Sequence, residues 1–115
     1  MADDCLFCKI IAGEIPSNKV YSDDELYAFH DINPAAPTHI LVIPKQHLSD
    51  VSAAGEGDEA LLGKLLLKAN QIATDLGLGE DGFRYVINTG RDGGQTVFHL
   101  HLHILGGRTL SWPPG

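Results

Sequence analysis

The run His99-Leu100-His101-Leu102-His103-Ile104-Leu105 constrains this chain more than any other feature. Imidazole alternates strictly with aliphatic, which matches the two-residue side-chain period of a strand. On that reading His99, His101 and His103 share one face, and Leu100, Leu102 and Ile104 share the other. The aliphatic face can join a core. The imidazole face calls for a chemical explanation, because three of the six histidines are gathered on it. A purification tag would not carry a hydrophobic residue in each gap. One metal cage for all three is limited by geometry. Residues i and i+4 of a strand lie roughly 13 Å apart, whereas two nitrogens on one zinc lie within about 4 Å of each other. His99 and His101 could converge on one ion; His99 and His103 could not easily do so. At least one imidazole is left for proton transfer or nucleophilic attack near neutral pH.

With 115 residues, 43% of them hydrophobic, the chain is expected to form a single domain over residues 1–115, with a tail at 111–115. No stretch approaches a membrane span, and the start Met1-Ala2-Asp3-Asp4 is acidic where a signal peptide would be basic. A cytoplasmic location with no membrane partner is expected. Cys5 and Cys8 are three apart with no secretory context, so a structural disulfide is not expected. A net charge of −7 argues against a nucleic-acid surface. It leaves room for a single nucleotide, which backbone N–H groups and a few local donors can hold.

The fold class expected is α+β, a mostly antiparallel five-stranded sheet with one short and one long helix. Residues 5–12 read as the short helix. Residues 19–22 and 26–31 read as strands around an acidic turn, and 33–37 as a proline-bounded loop. Residues 38–43 read as a third strand stopped by Pro44. Residues 58–76 form the best helix, with Leu61, Leu65, Ala69, Ile72 and Leu76 near a 3.6 period and Gly77 just beyond. Residues 83–88 are the fourth strand, 89–95 a loop with three glycines, and the histidine run the fifth strand. The tail Ser111-Trp112-Pro113-Pro114-Gly115 cannot be regular helix or central strand.

The loop Gly90-Arg91-Asp92-Gly93-Gly94-Gln95-Thr96 stands directly before the histidines. Its glycines let backbone N–H groups converge and a phosphate approach closely. A plain turn accounts for the glycines alone. The adjoining histidines, the Thr96 hydroxyl and the Asn88 amide favour a phosphate cradle. Asp31 follows Phe29 at a strand end and precedes Ile32, so its carboxylate can accept from a ribose diol with apolar neighbours against a base. Taken alone, an Asp before a turn is usually structural.

Together these residues are similar to the histidine triad (HIT) family, in the branch of Hint-type nucleoside phosphoramidate hydrolases. The histidine run matches the family pattern throughout. Phe29-His30-Asp31-Ile32, Pro37-Thr38-His39, Val42-Ile43-Pro44-Lys45 with His47, Asp92-Gly93-Gly94-Gln95 and Gly106-Gly107-Arg108 match as well, and Trp112-Pro113-Pro114-Gly115 resembles the Hint branch in particular. The resemblance implies that His101 is a nucleophile toward the α-phosphorus of a purine nucleoside 5′-phosphoramidate, forming a nucleotidyl-histidine that water hydrolyses. It implies that His103 binds phosphoryl oxygens or protonates the departing amine and that His39 orients the triad. Gly94, Gln95 and Thr96 would stabilise phosphoryl charge. Asp31 would hold the ribose, Phe7, Ile10, Phe29 and Ile32 would wall the purine, and Asn88 would contact ribose or phosphate. Thr96 departs from the serine common in the Hint branch, which bears on leaving-group preference. Cys5-x-x-Cys8 alone reads as half a metal site or as two small core residues. The resemblance adds His47 and His99, implying a closed structural zinc site. It also implies a homodimer in which Trp112 reaches the partner's active site and sets substrate specificity. Rival readings are a dinucleoside polyphosphate hydrolase, a nucleotide-binding scaffold with incidental hydrolysis, and a metal-dependent hydrolase using His99 and His101.

Overall fold

The computed structural model describes residues 4–115. Met1, Ala2 and Asp3 of the acidic start lie outside the described residues. Five strands, β1 (Lys19–Ser22), β2 (Leu26–His30), β3 (Thr38–Pro44), β4 (Arg84–Ile87) and β5 (Leu102–Gly106), form one sheet in the order β1-β2-β3-β5-β4. Every neighbouring pair is antiparallel. The last strand in sequence is therefore inserted between β3 and β4, which puts His103 inside the sheet. Among the described residues, no helix is long and apolar enough to cross a membrane.

The pleat sorts the side chains onto two faces. Leu26 and Ala28 of β2, Ile40 and Val42 of β3, and Leu102 and Ile104 of β5 are fully buried in one cluster. Helix α2 (Glu59–Asp75) covers this cluster with Leu65, Ala69, Ile72 and Ala73. The helix ends where its periodicity ends, and Gly77 follows with φ +85, which a Cβ would strain. On the opposite face Phe29, Leu41 and Ile43 meet Phe7 and Ile10 of helix α1 (Leu6–Ile11). Helix α1 is too short to cover that whole face. Its N-cap is Cys5, whose sulfur accepts from the Cys8 amide at 3.3 Å. The imidazoles share this second face with α1.

The histidine strand differs from the expectation in one respect. Pairing begins at Leu102, and residues 97–99 bend before it. Extending the β3–β5 register places Pro44 opposite Leu100, and proline has no N–H for the ladder. The Leu100 amide donates instead to the Leu48 carbonyl at 2.6 Å. Sidedness survives the break, for Leu100 is buried in the same cluster as Leu102 and Ile104. Strand β3 also runs one residue further than read, with Pro44 as its last member, and β2 stops one residue short, at His30. Two 3₁₀ turns, Val51–Ala53 and Glu56–Asp58, precede α2 without having been expected; Asp50 caps the first by accepting from the Ala53 amide at 3.1 Å.

Candidate active site and metal cluster

The triad histidines divide between two places. His99 turns toward α1, while His101 and His103 stay together with ring centroids 4.9 Å apart. Each ring's protonation pattern follows from a backbone group whose donor or acceptor character cannot change. His101 Nδ1 lies 2.7 Å from the His99 carbonyl, so Nδ1 carries the hydrogen and donates it. Its Nε2 is left with a bare lone pair. Phe7 packs edge-on to the ring at 5.1 Å and fixes its plane. Burial lowers the basicity of His101, with the His99 carbonyl and then Asp31 opposing, so the ring is neutral near pH 7.

His39 and His103 are read the same way. The Ala35 amide donates to His39 Nδ1 at 3.0 Å, so that nitrogen is an acceptor and the hydrogen sits on Nε2. That Nε2–H points at His103 Nδ1, 2.9 Å away, with Asp31 Oδ2 further off at 3.4 Å. His103 Nδ1 is then an acceptor, and His103 Nε2 carries a hydrogen. This Nε2 is buried and has no partner among the described residues, so a free donor stands beside the bare lone pair of His101. His39 and His103 meet because His39 pairs with Leu105 and Leu41 with His103, which makes the two imidazoles diagonal neighbours on one face. The same bonds account for the grouping of Asp31, His39 and His103.

His99 serves the other place. Its Nε2–H donates to the Pro44 carbonyl at 2.8 Å, leaving Nδ1 bare. That Nδ1 lies 3.3 Å from Cys5 Sγ, 3.5 Å from Cys8 Sγ and 3.2 Å from His47 Nδ1, and Cys8 Sγ is 3.4 Å from His47 Nδ1. All four ligand atoms lie within 4.8 Å of one another. A tetrahedral ion with nitrogen ligands at about 2.05 Å and sulfur at about 2.3 Å has edges of about 3.3–3.8 Å. The donor set and its spacing can hold a metal ion. The Pro44 carbonyl is the outer partner that fixes the His99 tautomer. Burial, and then Cys5 beside it, push the Cys8 thiol up to about 11, a shift that a bound cation would reverse.

The remaining site residues are distributed as follows. Phe7, Ile10 and Phe29 are buried beneath the imidazole face, while Ile32 is 90% exposed. Asp31 keeps Oδ2 toward His39, and its Oδ1 accepts from the Asn33 amide at 2.8 Å. Asn88 follows β4. The glycine loop is tighter than the cradle expected from sequence. The Gly94 amide donates to the Arg91 carbonyl and the Gln95 amide to the Gly90 carbonyl, each at 3.0 Å. The Gln95 carboxamide accepts from the Gly90 amide at 2.9 Å and donates to the Ser49 and Val97 carbonyls at 2.7 and 3.1 Å. Gln95 therefore acts as the brace of the loop, and its donors and those of Gly94 are engaged within the protein. Thr96 is exposed and lines a groove with Cys5, His47 and Phe98. Trp112 is 81% exposed, on a tail anchored by Arg84, which donates to the Ser111 carbonyl at 2.8 Å. The backbone groups of Ala35, Pro44 and His99 were not legible beforehand, because no side-chain pattern announces a carbonyl or an amide.

Burial, then the neighbouring His101 and His39, push His103 from its ordinary 6.5 down to about 4, with Asp31 opposing. The unfolded chain therefore takes up this proton first as pH falls. The associated stability is complete above about pH 6.5 and is lost progressively toward about pH 4. Urea unfolding across that window should show a shallower pH slope for His103→Gln than for the parent, by up to about one proton. Equal slopes would contradict the neutral assignment.

The HIT domain model matches residues 12–110. An uncharacterized HIT-like protein of Synechocystis is 63% identical over 115 residues, covering all of both chains. A crystal structure of a HIT family hydrolase from Legionella pneumophila superposes with a TM-score of 0.96 at 49% identity, covering 97% of this chain and 100% of that one. A histidine triad nucleotide-binding protein from Candida albicans gives 0.82 at 34% identity, covering 96% and 83%. With β5 inserted between β3 and β4 directly after His99 and His101, and a family match spanning most of its length, the chain belongs to the HIT domain family.

Proposed function

We propose that this protein hydrolyses purine nucleoside 5′-phosphoramidates, with the related aminoacyl-adenylates as a second substrate class, releasing AMP or GMP through a nucleotide held covalently on His101. The observation that carries the reading is the His101 Nδ1–H bond to the His99 carbonyl, which leaves Nε2 as a neutral nucleophile. Nε2 attacks the α-phosphorus, a P–N bond to His101 forms, and the P–N bond to the amine breaks. The positive charge on the modified ring is held by the His99 carbonyl. His103 Nε2–H, buried and without a partner among the described residues, would bind a phosphoryl oxygen or pass a proton to the departing amine. Water then displaces the nucleotide from His101, its hydroxyl goes to phosphorus, and its proton restores the donor. Thr96 contributes a hydroxyl on the leaving-group side, and Gln95 with Gly94 holds the loop that presents it. Asp31 holds the ribose hydroxyls, Phe7, Ile10, Phe29 and Ile32 border the base, and Asn88 lies toward the ribose and phosphate. The similar Legionella and Candida proteins, a HIT family hydrolase and a histidine triad nucleotide-binding protein, agree with this reading.

In the same reading Cys5, Cys8, His47 and His99 hold zinc. Four protein ligands leave no open position, so the ion ties α1 to the histidine segment and takes no part in the chemistry. The metal-dependent alternative through His99 and His101 is disfavoured, because His99 Nδ1 faces the thiols and His101 Nδ1 is bonded to a carbonyl. A homodimer is part of the proposal. Strand β4 is a sheet edge with Tyr85 and Ile87 exposed, and Leu66 and Leu67 are exposed on α2. In such a dimer the exposed Trp112 has a partner surface to meet and could sort leaving groups there. The protein is taken to work in the cytoplasm.

His101→Ala should lower turnover of adenosine phosphoramidate by at least about 10³-fold, with AMP affinity within a few-fold of the parent. Intact-mass analysis of rapidly quenched parent protein should find one nucleotidyl adduct. Mapping of that adduct to His103 would overturn the assignment. For the cluster, elemental analysis of untagged protein should give about one zinc per chain. Cys5→Ser with Cys8→Ser should lower the thermal midpoint more than the turnover per folded molecule. A metal-free protein of unchanged stability would remove the zinc from the account.

A further inference from the structure

The segment Gly106-Gly107-Arg108 has no task in the chemistry above, yet its contacts lead back to the triad. Gly107 has φ +90, and a Cβ on it would lie 2.9 Å from the Pro37 Cβ. The chain therefore turns back against the 33–37 loop at a point where glycine is needed for both conformation and space. The next residue, Arg108, reaches the same loop. Its Nη2 donates to the Ala35 carbonyl at 2.9 Å, and its Nη1 donates to the Thr109 carbonyl at 3.1 Å. A planar guanidinium that bridges two carbonyls fixes the distance between the strands of chain that carry them. Ala35 is held on one side by this guanidinium, and on the other its own amide donates to His39 Nδ1.

The Ala35 amide at His39 Nδ1, supported by the Asp31 carboxylate 3.4 Å from His39 Nε2, sets the tautomer sequence. While it faces His39 Nδ1, His39 must carry its hydrogen on Nε2, His103 must accept at Nδ1, and His103 Nε2 must be a donor. If the amide withdraws, His39 can carry its hydrogen on Nδ1 instead. Its Nε2 then faces His103 as an acceptor, His103 must place its hydrogen on Nδ1, and the nitrogen beside His101 becomes bare. One displaced amide thus inverts two rings and replaces a donor by a lone pair at the reacting centre. His101 is outside this sequence, because its own tautomer is set by the His99 carbonyl.

We propose that Arg108 is a positioning residue for the triad: by tying Ala35 to Thr109 it holds the Ala35 amide on His39 and so keeps His103 Nε2 as a hydrogen donor. The catalytic consequence rests on the function proposed above; the tautomer consequence does not.

The test uses full-length protein labelled with ¹⁵N-histidine, and long-range ¹H–¹⁵N correlation above pH 7, which reports the protonated nitrogen of each ring. In the parent, His39 and His103 should both give the Nε2–H pattern, and His101 the Nδ1–H pattern. In Arg108→Met, the His39 and His103 signals should move together toward tautomer-averaged positions while His101 stays in place. Turnover of adenosine phosphoramidate should fall about tenfold, the scale of one lost hydrogen bond, with AMP affinity changed less than about twofold. Arg108→Lys keeps one donor for the Ala35 carbonyl and should recover part of both effects. Replacing Ala35 by lactic acid through semisynthesis deletes the amide hydrogen and leaves Arg108 intact; it should give the same paired shift and serves if Arg108→Met fails to fold. Unchanged His39 and His103 patterns in Arg108→Met, or in the lactic acid variant, would overturn the proposal, as would a shift of all three rings together. Normal tautomers without phosphoramidate turnover in the parent would defeat the functional reading and leave this inference standing.

Discussion

The site depends on hydrogen bonds between histidine rings and backbone groups that can play only one role. A carbonyl can only accept and a peptide N–H can only donate, so each fixes the proton on the ring it meets. The Pro44 carbonyl frees His99 Nδ1 for the thiols, the His99 carbonyl frees His101 Nε2, and the Ala35 amide places a hydrogen on His103 Nε2 through His39. In the proposed function, four chemically identical side chains serve in this way as ligand, nucleophile, relay and donor. Burial supports the division by holding His39, His99, His101 and His103 below their ordinary basicity, so that neutral tautomers exist to be sorted.

The Pro44 and His99 carbonyls are held in place by the packed opposite face of the sheet, and the Ala35 amide by the loop that Arg108 ties down. Leu100, Leu102 and Ile104 are fully buried against α2 and its cluster, and they alternate with the three histidines. Moving any imidazole off its face would expose an aliphatic or bury a polar ring in the leucine core, each costing about 1.5–3 kcal/mol or more. The cluster of Cys5, Cys8, His47 and His99 works on the near face, where α1 alone provides cover. Phe7 joins the two regions, packing edge-on against both His99 and His101.

Much of this is legible in the amino-acid sequence itself. Alternation in 99–105 gave the sidedness, the 3.6 period in 58–76 gave α2, and the acidic turn after β1 separated two strands as read. The start of β5 was not legible, because it depends on a proline 58 residues earlier in sequence lying opposite Leu100. Gln95 was read as a phosphate contact; its amide is instead consumed by three backbone groups, and composition cannot tell a loop's brace from its ligand. Arg108 stands out in the sequence only as the end of Gly106-Gly107-Arg108. Its contact with Ala35 spans 73 residues, so no local pattern carries it.

In the proposed reaction a neutral imidazole, and not water, attacks phosphorus first. Each in-line displacement inverts the phosphorus configuration, so two displacements restore it. The direct measurement is the stereochemical course with an adenosine 5′-phosphoramidothioate of defined configuration, hydrolysed in ¹⁸O-labelled water. The account predicts a labelled thiophosphate product of retained configuration. Inversion would mean a single attack by water and would contradict it.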